Sequence, residues 1–366
     1  MTYRKPPFLL RKWQQLQMRY YAYRNPEKLV RIRYRQRFGT DPDLENPRTF
    51  NEKVLWMMLY ADTTRWSQLA DKYRVREYVE QCGLGWMLNE LYGVWESAEE
   101  IDFSGGGNLP DTFVLKTNNG YGQVIIVNDR QKADIRSIRR TLNHTLRKKF
   151  GRMTAEHHYF GIKPRIIAER LLPSEPAFGN SLIDYKFYCF DGNPYCCMVC
   201  YNRKSPSDVK TGLYDARTWK NIGHYVTGKY YDPHQCDIPR PASLDRMLDA
   251  AKRLSSGFPQ VRVDLYEVAG NPVFGELTFT SSAGMDTGFS QEFQELMGSQ
   301  ISLPPAKRTQ PSHPGLLGLL GLRRPLPNKN GRQPGGAGAT GCPARQAQPF
   351  ARVWGEGCHF VGGFHF

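Results

Sequence analysis

The sequence predicts an α+β fold of helices and antiparallel hairpins, and three observations carry that expectation. Val261 to Met285, VRVDLYEVAGNPVFGELTFTSSAGM, alternates Val261, Val263 and Leu265 with Arg262 and Asp264, and Gly270-Asn271-Pro272 turns it toward a return strand at Val273-Phe274. Phe113 to Val127, FVLKTNNGYGQVIIV, pairs two apolar runs across an Asn/Gly turn. Thr49 to Glu52 and Ser243 to Gly257 carry helix signals, the first a capping box and the second an N-cap Ser with a Gly at the stop.

The chain has 366 residues, enough for two or three lobes with ample core, and carries a formal charge of +15 with a pI near 9.4. That balance favours anionic partners: nucleotide phosphates, an acidic polysaccharide, lipid headgroups or nucleic acid. The eight cysteines show no regular pattern. Cys197 and Cys200 have C-x-x-C spacing inside an apolar run, but without a second pair or suitably spaced His they read as buried strand thiols. No signal peptide opens the chain and no apolar run is long enough to span a bilayer, so a cytoplasmic protein is expected.

In chain order, the first forty residues hold eleven Lys or Arg against the single acid Glu27, with Phe8, Leu9, Leu10, Trp13, Leu16, Met18, Tyr20, Tyr21 and Tyr23 interleaved. The segment reads as a helical arm, either folded onto the body or lying on an anionic membrane surface. No nucleic-acid motif accompanies it, so no nucleic-acid partner is expected. Val54, Leu55, Met58 and Leu59 continue the Thr49 helix as an apolar face, and Leu69 to Val79 predicts another helix. Leu91 to Trp95 predicts a strand, and Asp102 to Asp111 a glycine-rich loop. Asp129 to Phe150 predicts one long basic helix buried through Ile135, Ile138, Leu142 and Leu146. The adjacent His157 and His158 cannot share a helix face, which argues against a metal pair. Pro164 to Leu172 predicts a strand, as does the segment opened by Asp184-Tyr185-Lys186. After Pro304 the periodicity stops and Pro, Gly, Arg and Gln dominate, as in a disordered tail or an altered reading frame.

Two sites carry candidate chemistry. Asp264 and Glu276 arrive on adjacent strands, where two carboxylates offer hard oxygen ligands to Mg²⁺; a solvated hairpin face with an Arg262 ion pair is the alternative. In the other hairpin Lys116 ends a strand before Asn118-Asn119-Gly120-Tyr121-Gly122, whose glycines let backbone N–H groups approach phosphate oxygens; an ordinary hairpin is the alternative there.

The phrase V-R-V-D-L-Y followed by G-E-L-T-F-T-S-S-A-G-M, together with N-P-R-T-F-N-E-K at 46–53, resembles the TupA-like ATP-grasp proteins of bacterial surface-polysaccharide clusters. Asp264 and Glu276 match that superfamily's metal-binding residues, and Thr278 stands where its other members have Asn. The resemblance covers about residues 20–303. It implies an ATP-grasp fold with ATP gripped between two lobes built on antiparallel sheets. With the arm and tail read from composition, the expected organisation is a basic helical arm (1–45), an N-terminal helical and αβ region (46–112), a central lobe (113–172), a C-terminal lobe with the metal site (173–303) and a low-complexity tail (304–366). By the same resemblance Lys116, Gly120 and Gly122 contact phosphates, and Glu169 with the backbone of Arg170 and Leu171 reads adenine and ribose. Asp184 lies beside the nucleotide, Lys186 and Arg203 supply catalytic cations, and Asp264, Glu276 and Thr278 hold Mg²⁺. ATP and Mg²⁺ are the implied cofactors. A carboxylate, either a uronic acid or an amino acid, and an amine are the implied substrates of a ligase acting through an acyl phosphate. A glycosyltransferase of the same pathway is a weaker fit, because no D-x-D-type motif sits at a strand end. A non-catalytic nucleotide-binding scaffold stays open, because Thr278 is a weaker ligand than Asn.

Overall fold

The computed structural model describes residues 8–120, 124–174, 181–202, 209–227 and 238–307. The expected tail therefore lies outside the described residues from 308 onward. Two helices form the basic arm, α1 (Phe8–Arg24) and α2 (Pro26–Phe38). Asn25 separates them: its side chain accepts the Lys28 N–H at 2.9 Å, and Pro26 occupies the first helical position, where no donor is needed. Leu29, Val30 and Tyr34 anchor α2 in the core. The capping box forms at the start of α3 (Phe50–Tyr60), where the Thr49 hydroxyl accepts the Glu52 N–H and the Glu52 carboxylate accepts the Thr49 N–H.

The helix expected over Leu69 to Val79 is interrupted. It is replaced by α4 (Thr64–Leu69), a turn, and α5 (Val75–Gln81). The interruption has a local cause: the Asp71 carboxylate accepts the N–H groups of Tyr73 and Arg74 at 2.9 and 3.3 Å, an alternative to the helical ladder that periodicity does not reveal.

Strands β1 (Leu91–Trp95), β2 (Phe113–Thr117) and β3 (Val124–Val127) follow, then α6 (Ile135–Leu146) and β4 (Ile166–Glu169). They build an antiparallel four-stranded sheet in the order β1-β4-β2-β3. Its core joins Phe113, Leu115, Ile166 and Ala168 to Ile138 and Leu142 of α6. Here too the predicted helix is too long. Asp129 caps a separate 3-10 turn and Asp134 caps α6 by accepting the Ser137 N–H, so the long segment is punctuated by two aspartates.

The second sheet has five antiparallel strands in the order β7-β6-β5-β8-β9. These are β5 (Asp184–Phe190), β6 (Asn193–Tyr201), β7 (Lys210–Asp215) and, after α7 (Leu244–Ser255), β8 (Val261–Val268) and β9 (Asn271–Thr278). Val261, Val263 and Leu265 bury among the apolar residues of α7 and the N-terminal helices, which is why the hairpin alternates. Ser243 precedes α7 but does not cap it; its hydroxyl donates to Glu267 at 2.6 Å. The cysteines of β6 are buried, and burial pushes the Cys196 and Cys197 thiols well above their usual range, as buried strand thiols should be. Helix α8 (Gln291–Ser299) completes the described body. No helix among the described residues is long and apolar enough to cross a membrane.

The turn between β8 and β9 is Ala269-Gly270, both at positive φ, so Asn271 and Pro272 already belong to β9. A bulge interrupts that ladder, because Asp264 faces Glu276 while Leu265 faces Phe274. Gly275 is the extra residue, and a Cβ there would sit 2.8 Å from the Asp264 carbonyl oxygen. Only glycine allows the close approach that sets the two acids opposite each other.

Candidate functional site

Strand register places Lys186 of β5, Asp264 of β8 and Glu276 of β9 in one row across the five-stranded sheet. Arg262 and Thr278 are opposite each other in the neighbouring row. Alternation puts Asp264 and Arg262 on the face away from Val263 and Leu265, but that face is buried, not solvated. The Arg262 guanidinium grips Asp264 with its fork, Nε to Oδ1 and Nη2 to Oδ2 both at 2.7 Å. Its Nη2 also lies 3.1 Å from the Thr278 hydroxyl and 3.5 Å from Glu276. Lys186 Nζ donates to Asp264 Oδ2 at 2.7 Å and lies 3.3 Å from Asp184. Burial opposes the charge on Lys186, yet Asp184 and Asp264 outweigh it and raise its pKa. Arg262 shows the same balance: burial works against its charge, and Asp264 more than restores it.

A third cation arrives from the interrupted helix. Lys72 Nζ donates to the Gly120 carbonyl at 2.8 Å and meets Glu276 Oε2 at 3.3 Å, joining the glycine loop to the acidic row. Asn118 fixes the start of that loop. Its amide donates to Asp71 at 2.8 Å and to the Lys163 carbonyl at 3.0 Å, and its oxygen accepts the Arg165 N–H at 2.6 Å. Gly120 has no room for a side chain, since a Cβ would lie 2.5 Å from the Phe150 ring. Asp71 thus does two things: it breaks the helix and it anchors the loop beside which Lys72 points.

In the four-stranded sheet Lys116 and Glu169 come together, Nζ to Oε2 at 2.8 Å, with Arg76 of α5 3.5 Å from the other carboxylate oxygen. The Arg170 N–H donates to the Glu90 carbonyl and the Arg170 carbonyl accepts from Asn89, so in this state its peptide groups already have partners within the protein. Leu171 follows β4 and is half-buried. Gly122 and Arg203 lie outside the described residues.

The sites expected from the sequence therefore form two ion-pair groups. One contains Asp184, Lys186, Asp264, Glu276 and Thr278, and the other Lys116 and Glu169. Sequence reasoning assigned no site role to Lys72, Arg76 or Asn118 and left Arg262 as half of a surface ion pair. The i, i+2 spacing to Asp264 was the available signal for Arg262, whereas Lys72 meets Glu276 across 204 positions, where no local pattern reaches.

The donor set suits Mg²⁺ in kind, with two facing carboxylates leaving the remaining positions to water and substrate phosphates. It is not a closed cage: no group of three or more His, Cys, Asp or Glu able to hold a metal occurs among the described residues. Both Asp264 oxygens are held by Arg262 and Lys186, and the Thr278 hydroxyl bridges Arg262 to Glu276 Oε1 at 3.2 Å. Glu276 is the more accessible acid.

Residues 52–302 match the family described as TupA-like ATPgrasp. No curated protein matches the chain. Among solved structures, the chain resembles the D-alanine–D-alanine ligase of Bacillus anthracis complexed with ATP at 14% identity and a TM-score of 0.39, covering 64% of this chain and 65% of that one. The L-amino acid ligase of Bacillus licheniformis is similar at 16% identity and a TM-score of 0.35, covering 60% and 43%. The ATP-grasp ligase PsnB, complexed with a phosphomimetic variant of minimal precursor, Mg and ADP, matches at 13% identity and a TM-score of 0.36, covering 66% and 61%. The chain spans less than two thirds of the length of each of these.

Proposed function

The chain belongs to the TupA-like ATP-grasp family, and on that premise we propose that it is an ATP- and Mg²⁺-dependent carboxylate–amine ligase. The observation that carries the reading is the row Lys186–Asp264–Glu276, tied through Lys72 to the glycine loop at Gly120. Cations and acids gathered at one face suit a reaction that moves a highly charged phosphoryl group and calls for no protein nucleophile.

In this mechanism the substrate carboxylate attacks the γ-phosphorus of ATP, ADP leaves, and the acyl phosphate forms. The amine then attacks the acyl carbon, loses a proton to solvent or phosphate, and expels inorganic phosphate as the amide forms. Lys116, Gly120 and Gly122 hold the phosphates, while Glu169, Arg170, Leu171 and Asp184 hold the adenosine end. For Arg170 this requires its peptide groups to exchange their contacts with Asn89 and Glu90. Lys186 and Arg203 would supply the cations that stabilise the charge developing during transfer, and Arg262, paired with Asp264, would join them. Mg²⁺ on Asp264 and Glu276, with Thr278 orienting Glu276, would neutralise the phosphate oxygens. Arg262, Lys186 and Lys72 balance the acids before ATP arrives.

The substrate carboxylate is a uronic acid of a capsule, O-antigen or cell-wall polysaccharide precursor, or an amino acid joined to it. The setting is the cytoplasm, at the inner face of the plasma membrane. A second reading, ATP binding without turnover, draws on the grip of Arg262 and Lys186 on both Asp264 oxygens. Phosphate release from ATP, measured with Mg²⁺ against uronic acids and amino acids with and without an amine, separates the two. Release that needs both partners, and falls at least about a hundredfold in Glu276→Gln, supports the ligase. Tight ATP binding with no stimulation by any pair supports the non-catalytic reading.

A further inference from the structure

Helix α1 is apolar on two faces, and the described residues pack against only one of them. Met18, Tyr21 and Ala22 pack inward on the core. On the other side Leu9, Trp13, Leu16, Tyr20 and Tyr23 follow one another at spacings of four and three, which aligns them in one stripe about 21 Å long. All five are between 59% and 77% exposed, although large apolar side chains in a row are what a folded chain ordinarily hides. Lys12 and Arg19 border the stripe on one side and Arg24 on the other, and all three are exposed. The Arg152 guanidinium extends the surface, lying 5.1 Å from the centre of the Tyr23 ring and 5.9 Å from that of the half-exposed Phe160.

We propose that this face of α1 is a docking surface for an anionic lipid bilayer, on which the helix lies in the plane of the headgroups. Leu, Trp and Tyr on the stripe suit the boundary between headgroups and acyl chains, and the bordering Lys and Arg suit negatively charged lipid. Charge complementarity decides between a bilayer and a second copy of the chain. Helix α1 contains no Asp or Glu, so two copies paired along the stripe would set Lys12, Arg19 and Arg24 near like charges with no acid in the helix to relieve them. The helix has 17 residues and four of them are basic, so it can lie on a bilayer but not cross one. The inference rests on the ligase reading only for which membrane is meant; the binding surface stands without it.

The test uses the full chain, without ATP or substrate, sedimented with vesicles of phosphatidylcholine alone or with about a third phosphatidylglycerol. Binding is expected to the anionic vesicles, to weaken as salt is raised, and to be at least about tenfold weaker on phosphatidylcholine alone. Trp13→Ser with Leu16→Ser should lower the partition at least about tenfold by removing buried apolar area. Lys12→Gln with Arg19→Gln should lower it about twentyfold and reduce the salt dependence. Because these side chains point away from the core, unchanged circular dichroism is expected for both, and the charge pair remains informative if the apolar pair misfolds. Equal binding to both vesicle types, no binding to either, or a wild-type dimer that the apolar pair dissociates would overturn the proposal. A ligase that fails to turn over leaves the vesicle result unchanged, and absent vesicle binding leaves the ligase reading intact.

Discussion

Lys186 and Lys72 touch the same acidic row but stand in different surroundings, and their replacement should separate structure from chemistry. Lys186 is buried between Asp184 and Asp264, so Lys186→Met leaves two buried carboxylates without that cation and should destabilise the fold by about 3 kcal/mol as well as abolish turnover. Lys72 is less deeply buried and reaches Glu276 and the Gly120 carbonyl from the edge, so Lys72→Met should cost about 1 to 2 kcal/mol, less than the Lys186 change, while weakening ATP turnover at least about tenfold. Urea unfolding beside phosphate release makes the comparison; a Lys72 variant with normal turnover would remove that residue from the site. A second residue-scale expectation concerns His158, whose pKa burial, helped by His157, pushes down to about 3. In the unfolded chain the imidazole takes up a proton near its ordinary value of 6.5. Its contribution is therefore complete above that value and is lost as pH falls toward about 3. The loss should reach about 2 kcal/mol by roughly pH 5. Burial raises the neighbouring Glu156 carboxyl, an opposing effect that wild type and His158→Gln share, so the difference between their urea midpoints isolates the histidine. Parallel curves for the two proteins would contradict the assignment.

Short side-chain caps govern where the elements begin, and they also mark where the sequence was legible. The Thr49 capping box could be read directly because both partners lie within one turn. Thr49→Ala should cost about 1 kcal/mol in urea unfolding without changing nucleotide binding, and no measurable loss would mean that the box is decorative. The strand pairs of both hairpins were legible, since apolar runs and alternation are local signals, although the β8–β9 turn falls at Ala269-Gly270 and leaves Asn271 and Pro272 in the strand. The two long helices were not, because Asp71 and Asp134 bond to backbone N–H groups just after them and open breaks that apolar periodicity overlooks. The missed break mattered most, for it turns Lys72 toward Glu276. The Gly275 bulge was hidden for a related reason: a glycine in a strand shows its purpose only when the Asp264 carbonyl is seen against it. For Arg262 the sequence offered an ion pair to Asp264, and the structure supplies what local reading lacks, the burial that makes the pair energetically important.

The whole molecule brings the candidate site together from segments far apart in the chain. Lys116 and Glu169 belong to the four-stranded sheet, Lys186, Asp264 and Glu276 to the five-stranded sheet, and Lys72 to the helical region that reaches both the glycine loop and the acidic row. A net charge of +15 favours an anionic partner. In the proposed ligase ATP activates a carboxylate as an acyl phosphate. The most direct test of that step is the fate of an oxygen label. With both oxygens of the substrate carboxylate labelled as ¹⁸O, turnover with an amine should deliver one labelled oxygen into each inorganic phosphate released, because the bond to phosphorus forms through one of them and the acyl carbon–oxygen bond later breaks. Phosphate released with solvent oxygen alone would show that water, not a carboxylate, attacks the γ-phosphorus, and would contradict the ligase.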